Sequence, residues 1–159
     1  MALIGRDYEA AEVATDRAIQ LDPNSAFALN SRGTLAIYLG QPEAAIPHLE
    51  RAMLLDPAVS QQYLHFLGVA HLLLGHYETA AAMFRERVLL SPQTDFSRSM
   101  LASALGHLGE VDEARRVWAD LMRINPRYSF AEHIGRMPFK DPSFATGISR
   151  GLVAAGIAV

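Results

Sequence analysis

Ala18-Ile19-Gln20-Leu21-Asp22-Pro23 returns as Ala52-Met53-Leu54-Leu55-Asp56-Pro57, then as Arg87-Val88-Leu89-Leu90-Ser91-Pro92, then as Leu121-Met122-Arg123-Ile124-Asn125-Pro126. The prolines step by 34, 35 and 34 residues. Inside each unit a second spacing holds: Gly33 to Ala45, Gly68 to Ala80 and Ala102 to Ala114 are each 12 residues apart, and each alanine precedes its proline by 12. A fixed period of this length is the signature of a repeat array, in which one supersecondary unit is stacked on the next.

Each unit reads as two helices. Glycine inside a helix costs about 0.5–1 kcal/mol relative to alanine, so Gly33 and Gly68 require a compensating contact, and close approach of a second helix supplies it. Ala45, Ala80 and Ala114 are the other side of that contact. Gly40, Gly75 and Gly109 fall where a left-handed cap ends the first helices. Pro42 sits at a helix start, where its missing donor does no harm. Pro23, Pro57, Pro92 and Pro126 end the second helices by forcing Asp22, Asp56, Ser91 and Asn125 out of the α region. The expected helices are 7–21, 26–39, 43–55, 61–74, 77–90, 95–108 and 111–124. Leu49, Ala52, Met53, Phe84, Val88, Trp118 and Leu121 share one face of the second helices and form the expected seam between layers.

Period and pattern resemble the tetratricopeptide repeat over Met1 to about Tyr128. The resemblance implies an all-α, right-handed superhelix of antiparallel helix pairs. Its complete repeats are 26–59, 61–94 and 95–128, with Ser60 as a single inserted residue. A partial repeat, 1–25, precedes them, with only Met1 to about Ile4 left of its first helix. Residues 129–159 are expected to form a C-terminal capping segment. Arg32 beside Gly33 and Arg87 depart from the usual pattern.

The composition narrows the function. The chain has 159 residues, half of them hydrophobic and 19% charged, enough to bury a core. Fourteen basic against seventeen acidic side chains give a net charge of −3 with no basic block, which argues against nucleic acid as a partner. There is no cysteine, and no apolar run near the ~20 residues that cross a bilayer, so no membrane insertion is expected. With no targeting signal, a cytoplasmic location is expected. His48, His65, His71, His76, His107 and His133 are scattered, no phosphate loop or nucleophile elbow occurs, and Asp112-Glu113 and Glu9-Glu12 belong to first helical turns. No catalytic residue, metal or cofactor is assigned.

The reading is therefore a non-enzymatic scaffold that binds a protein or peptide. By resemblance, the concave face carries Phe27, Asn30, Thr34, Ile37 and Tyr38, then Gln62, His65, Val69, Leu72 and Leu73, then Phe96, Ser99, Ser103 and His107. No Lys or Arg fork for a carboxylate stands among them, and the semi-apolar surface suits an amphipathic helix. The alternative is an enzyme or small-molecule receptor using a pocket around Tyr38, His65 and His107.

In the tail, Tyr128 to Arg136 is expected to begin another helix. Asp141-Pro142 reads as an N-cap and first helical residue, and Phe144, Ile148, Leu152 and Ala155 form one apolar stripe. That stripe either covers the last seam, the favoured reading, or fills the groove of the same chain. Asn125-Pro126-Arg127-Tyr128-Ser129-Phe130, Pro138-Phe139-Lys140-Asp141-Pro142 and Gly151-Leu152-Val153-Ala154-Ala155-Gly156 resemble the ends of bacterial proteins that link such repeats to class III adenylate or guanylate cyclase or regulator domains. At the other end, Tyr8, Ala11, Val13, Ala14, Ala18, Ile19 and Leu21 are expected to form one broad apolar surface, and with it a homodimer through residues 1–21.

Overall fold

The computed structural model describes residues 7–159, and the expected remnant at Met1 to Ile4 lies outside them. The repeat units appear as antiparallel helix pairs: α1 (Tyr8–Leu21), α2 (Ala26–Tyr38), α3 (Pro42–Leu55), α4 (Ser60–Leu73), α5 (Tyr77–Leu90), α6 (Phe96–His107) and α7 (Val111–Ile124). A short helix, α8 (Phe130–Arg136), and a longer one, α9 (Ser143–Ala154), complete the chain. No strand occurs among the described residues. The extra residue of the 35-residue step is absorbed by a 3-10 turn, Pro57–Val59, and Ser60 opens α4.

The local chemistry sets these boundaries. Ser25 caps α2 by accepting from the Ala28 amide at 3.3 Å, and Asp7 caps α1 by accepting from the Ala10 amide. At the end of α2, Gly40 has φ +82°, and the Gln41 amide reaches back to the Ala36 carbonyl at 2.8 Å, a Schellman closure. Gly75 and Gly109 repeat it, and Gly156 adds the same stop after α9.

The helices of a pair meet at the glycine–alanine crossing. A Cβ on Gly33 would stand 2.7 Å from Leu49 Cγ and 3.1 Å from the Ala45 carbonyl oxygen, and one on Gly68 would stand 2.6–2.9 Å from three atoms of the Phe84 ring. Ala45, Ala80 and Ala114 are fully buried beside Leu49, Phe84 and Leu121. Met53, Val88 and Trp118 are half-buried, Trp118 meeting Tyr128 edge-on at 6.0 Å. The two departures from the repeat pattern are accommodated at the edges. Arg32 pairs with Asp16 at 2.8 Å and Glu12 at 3.6 Å across to α1, and Arg87 donates to Gln61 Oε1 at 3.0 Å.

The tail helix packs differently from the expected end cap. It lies along α6 and reaches α4. Gly151 sits against the backbone of Ser103 and Gly106 against the backbone of Gly151, so the two helices touch main chain to main chain. Ser103 Oγ donates to the Ile148 carbonyl at 2.7 Å, His107 Nε2 lies 2.9 Å from the Gly147 carbonyl, and Arg115 Nε donates to the Ala155 carbonyl at 2.9 Å. The Phe144–Ile148–Leu152 stripe therefore covers the side of α6 that carries Ser103 and His107, which is the inner-face set, and leaves α7 with little contact. The physical reason is the paired small residues, which allow a closer approach on α6 than α7 offers. Between α8 and α9 the chain runs back toward the first unit: the Lys140 amide donates to the Tyr38 carbonyl at 2.8 Å, and Tyr8 Oη donates to the Pro138 carbonyl at 3.1 Å.

Gly68→Leu forces its side chain into Phe84 and is expected to lower stability by about 1–3 kcal/mol, read as a reduced urea midpoint at unchanged slope. Gly151→Ala places a methyl against a backbone carbonyl that no rotamer change can relieve. It is expected to lift α9, so that limited proteolysis within 143–159 accelerates at least tenfold while the circular dichroism of the array persists.

Candidate functional site

The inner face divides into an open half and a half filled by the chain itself. Phe27, Asn30 and Thr34 of α2 project at helical spacing beside Gln62 of α4 and, with the alanine face of α1, line a groove of about 460 Å³. Phe27 is 80% exposed there. Asn30 Oδ1 and Thr34 Oγ1 are shielded from solvent yet have no hydrogen-bond partner among the described residues. A buried polar atom without a partner is costly, so both oxygens can hydrogen-bond a group that enters the groove. Ala11, Ala14, Thr15, Ala18, Ser31 and Phe66 also line it, with Ala28 and Leu35 at its floor. The sequence reading missed the α1 residues as groove wall, although Ala11 stands one period before Ala45.

The remaining candidates are dispersed. Tyr38 and Phe96 border a cavity of about 470 Å³ with Asp95, Asn125, Tyr128 and α8. Leu72 and His107 border a third, of about 340 Å³, with Phe144, Gly147 and Ile148 of α9. Val69 and Ile37 are buried at 1% exposure, Ser99 and Ser103 are buried, and Leu73 packs against the core. Tyr38, His65 and His107 thus do not meet in one pocket. Tyr38 contacts Phe139 edge-on at 5.5 Å, and His107 is stacked on Tyr77 at 4.3 Å.

His65 is the buried end of an aromatic stack whose other rings are half-buried. Phe96 lies between His65, at 4.2 Å, and His133, at 3.9 Å. His65 Nδ1 pairs with Ser97 Oγ at 2.9 Å, and His133 Nδ1 pairs with Tyr128 Oη, which also donates to Ser99 Oγ at 2.8 Å. Burial, reinforced by the Arg87 and His133 charges, holds the His65 pKa at about 3, and burial brings that of His133 to about 4 against the pull of Asp95. Burial also raises Tyr128 to about 12. These groups stay neutral at physiological pH and serve packing. No group of three or more His, Cys, Asp or Glu side chains that could hold a metal occurs among the described residues. No described helix is long and apolar enough to cross a membrane.

The expected pairing surface on α1 is not one face. Ala11, Ala14 and Ala18 look into the groove, Ile19 packs on the Leu29–Ala52–Tyr63 cluster, and Val13 is 67% exposed about 100° or more around the helix from the alanines.

Stacked helix pairs around an open groove, with no titrating cluster in it, define a helical-repeat interaction module. Family models described as tetratricopeptide repeat match residues 28–59, 61–86 and 96–120, together more than half the chain. The chain belongs to the tetratricopeptide-repeat family. It is 30% identical over 103 residues to the small glutamine-rich tetratricopeptide repeat-containing protein 2 of Mycosarcoma maydis; the match takes in 65% of this chain and 29% of that protein. Two crystal structures of MamA share the fold, with TM-scores of 0.70 and 0.69 at 19% identity, covering 94% of this chain and 86% and 84% of theirs.

The stack predicts a pH dependence. The unfolded chain protonates these histidines near their ordinary value of 6.5, whereas the folded chain holds them neutral down to about 3 and about 4. Stability is therefore fully present above about pH 6.5 and is lost as pH falls toward those values. The melting temperature between pH 7 and 4.5 is expected to drop less in His65→Phe than in the parent.

Proposed function

We propose that this chain is a non-enzymatic scaffold that holds a protein segment in the open groove between α1, α2 and α4. The observation that carries this reading is the pairing of an exposed aromatic, Phe27, with two shielded, partnerless polar atoms, Asn30 Oδ1 and Thr34 Oγ1, in one groove. Apolar contact supplies affinity, while the amide oxygen and hydroxyl fix register. Tetratricopeptide-repeat membership supports a protein as ligand. Occupation of the other half by α9 supports it too, because the chain itself shows that its inner face accepts a helix. Phe96 and His107 then serve as seats for the tail, while Phe27, Asn30, Thr34 and Gln62 face the partner.

The resemblance of the 125–156 stretches to cyclase-linked and regulator-linked bacterial repeats supports a finer placement. In it the chain works beside a nucleotide cyclase or a transcription regulator in the cytoplasm. The separation of Tyr38, His65 and His107 supports the scaffold over an enzyme or receptor built on those three residues.

The test is cross-linking of the intact chain in its own cells, followed by mapping of the linked residues. Links are expected to fall around α2 and the start of α4, and Phe27→Glu with Gln62→Glu is expected to reduce capture at least tenfold without loss of helicity. Capture retained by the double variant would place the interaction elsewhere.

A further inference from the structure

We propose that His71 and His76 form an open site for a divalent transition-metal cation of the class that imidazole binds, such as zinc, nickel or copper, held between their Nδ1 atoms with water in the remaining positions. The site lies at the turn between α4 and α5 and does not depend on what the groove holds. The two nitrogens face each other at 3.3 Å, with ring centroids 5.5 Å apart. That is long for a hydrogen bond, since N–H donors stand about 2.7–3.2 Å from their acceptors. It is the spacing that an ion sets: two imidazole nitrogens about 2.0–2.1 Å from a tetrahedral zinc stand about 3.3–3.4 Å apart. His76 is exposed and His71 half-buried, so a turn of each ring brings both lone pairs onto one ion.

The backbone holds the pair together. The His76 amide donates to the His71 carbonyl at 2.9 Å, the longer bond of the closure at Gly75, where φ is +77°. The two ligands are therefore the two ends of one hydrogen bond, and a cation finds them already placed. The same bond joins Gln41 to Ala36 at 2.8 Å and Glu110 to Leu105 at 2.9 Å in the neighbouring units. The turn forms there without histidine, so neither ring is needed to build it. Ala36 and Leu105 are fully buried where His71 is half-buried. Of the three units, this one alone replaces an apolar core position and a turn position together, and both replacements are histidines that meet nitrogen to nitrogen.

The local charge suits a cation. Burial and the neighbouring His76 hold the His71 pKa below its ordinary value, while the Glu50 carboxylate of α3 pulls it upward. The ring is thus neutral at physiological pH and able to give a lone pair, and the carboxylate that favours a proton there favours a metal ion as well. Imidazole selects transition metals over magnesium and calcium, which take oxygen ligands. No third His, Cys, Asp or Glu joins the pair among the described residues. Two protein ligands leave the ion open to water and exchangeable, unlike a closed four-ligand structural zinc.

The test is titration of zinc chloride into the intact chain at neutral pH, followed by calorimetry and by NMR of the imidazole nitrogens. One ion per chain is expected, with the Nδ1 resonances of His71 and His76 shifting and those of the other histidines unmoved. His71→Ala and His76→Gln copy the residues of the preceding unit, Ala36 and Gln41, and keep the fold. Each is expected to weaken uptake at least tenfold and to abolish the rise in melting temperature that zinc gives the parent. Magnesium chloride is expected to shift neither resonance. Absence of uptake, uptake equal in the parent and both variants, shifts confined to other histidines, or an equal response to magnesium overturns the site.

Discussion

Everything in this fold depends on how closely two helices approach where glycine faces alanine. At Gly33 and Gly68 the neighbouring side chain lies where a Cβ would be, so each pair is locked at one crossing point and one spacing. Once that distance is fixed, Leu49 and Phe84 are driven fully under the preceding helix, and the next pair stacks on the surface they create. Propensity favours neither glycine, and packing overrides it. The same device, carried further, seats α9 on α6 through backbone contact at Gly106 and Gly151.

The array and its helix boundaries were legible in the sequence because the determinants are local and repeated. Proline after Asp22, Asp56, Ser91 and Asn125, and glycine at 40, 75 and 109, each fix a backbone angle regardless of what lies nearby. The destination of the tail was not legible. Phe144, Ile148 and Leu152 announce a helix with an apolar stripe, but a stripe carries no address. What selects α6 over α7 is the coincidence of Gly106 with Gly151 and of Ser103 with the Ile148 carbonyl, more than forty residues apart, and no periodicity reveals it.

The groove shows the same division. Phe27, Asn30, Thr34 and Gln62 follow from repeat register, and they do gather. His65, Val69 and Ser99 share that register, yet they are buried, because Phe96, His133 and the tail close over them. Position within a repeat says which way a side chain points; only the chain's other segments decide whether solvent reaches it. Surface and core are thus exchanged between the two halves of one nominal face.

Tyr8 and Pro138 are joined across 130 residues of sequence, and Lys140 is tied to Tyr38 nearby. An open solenoid has contacts only between adjacent units, so its ends fray independently and its unfolding spreads as in a one-dimensional chain. Closing the first unit onto the tail converts that line into a loop. The terminal unit can no longer melt without also releasing the strap that covers the last, and a local opening becomes a shared one. Folding bears the corresponding entropy of a long closure, and the ring forms late, after the neighbouring pairs are in place. Two hydrogen bonds thus tie together helices that adjacent-unit packing alone would leave independent.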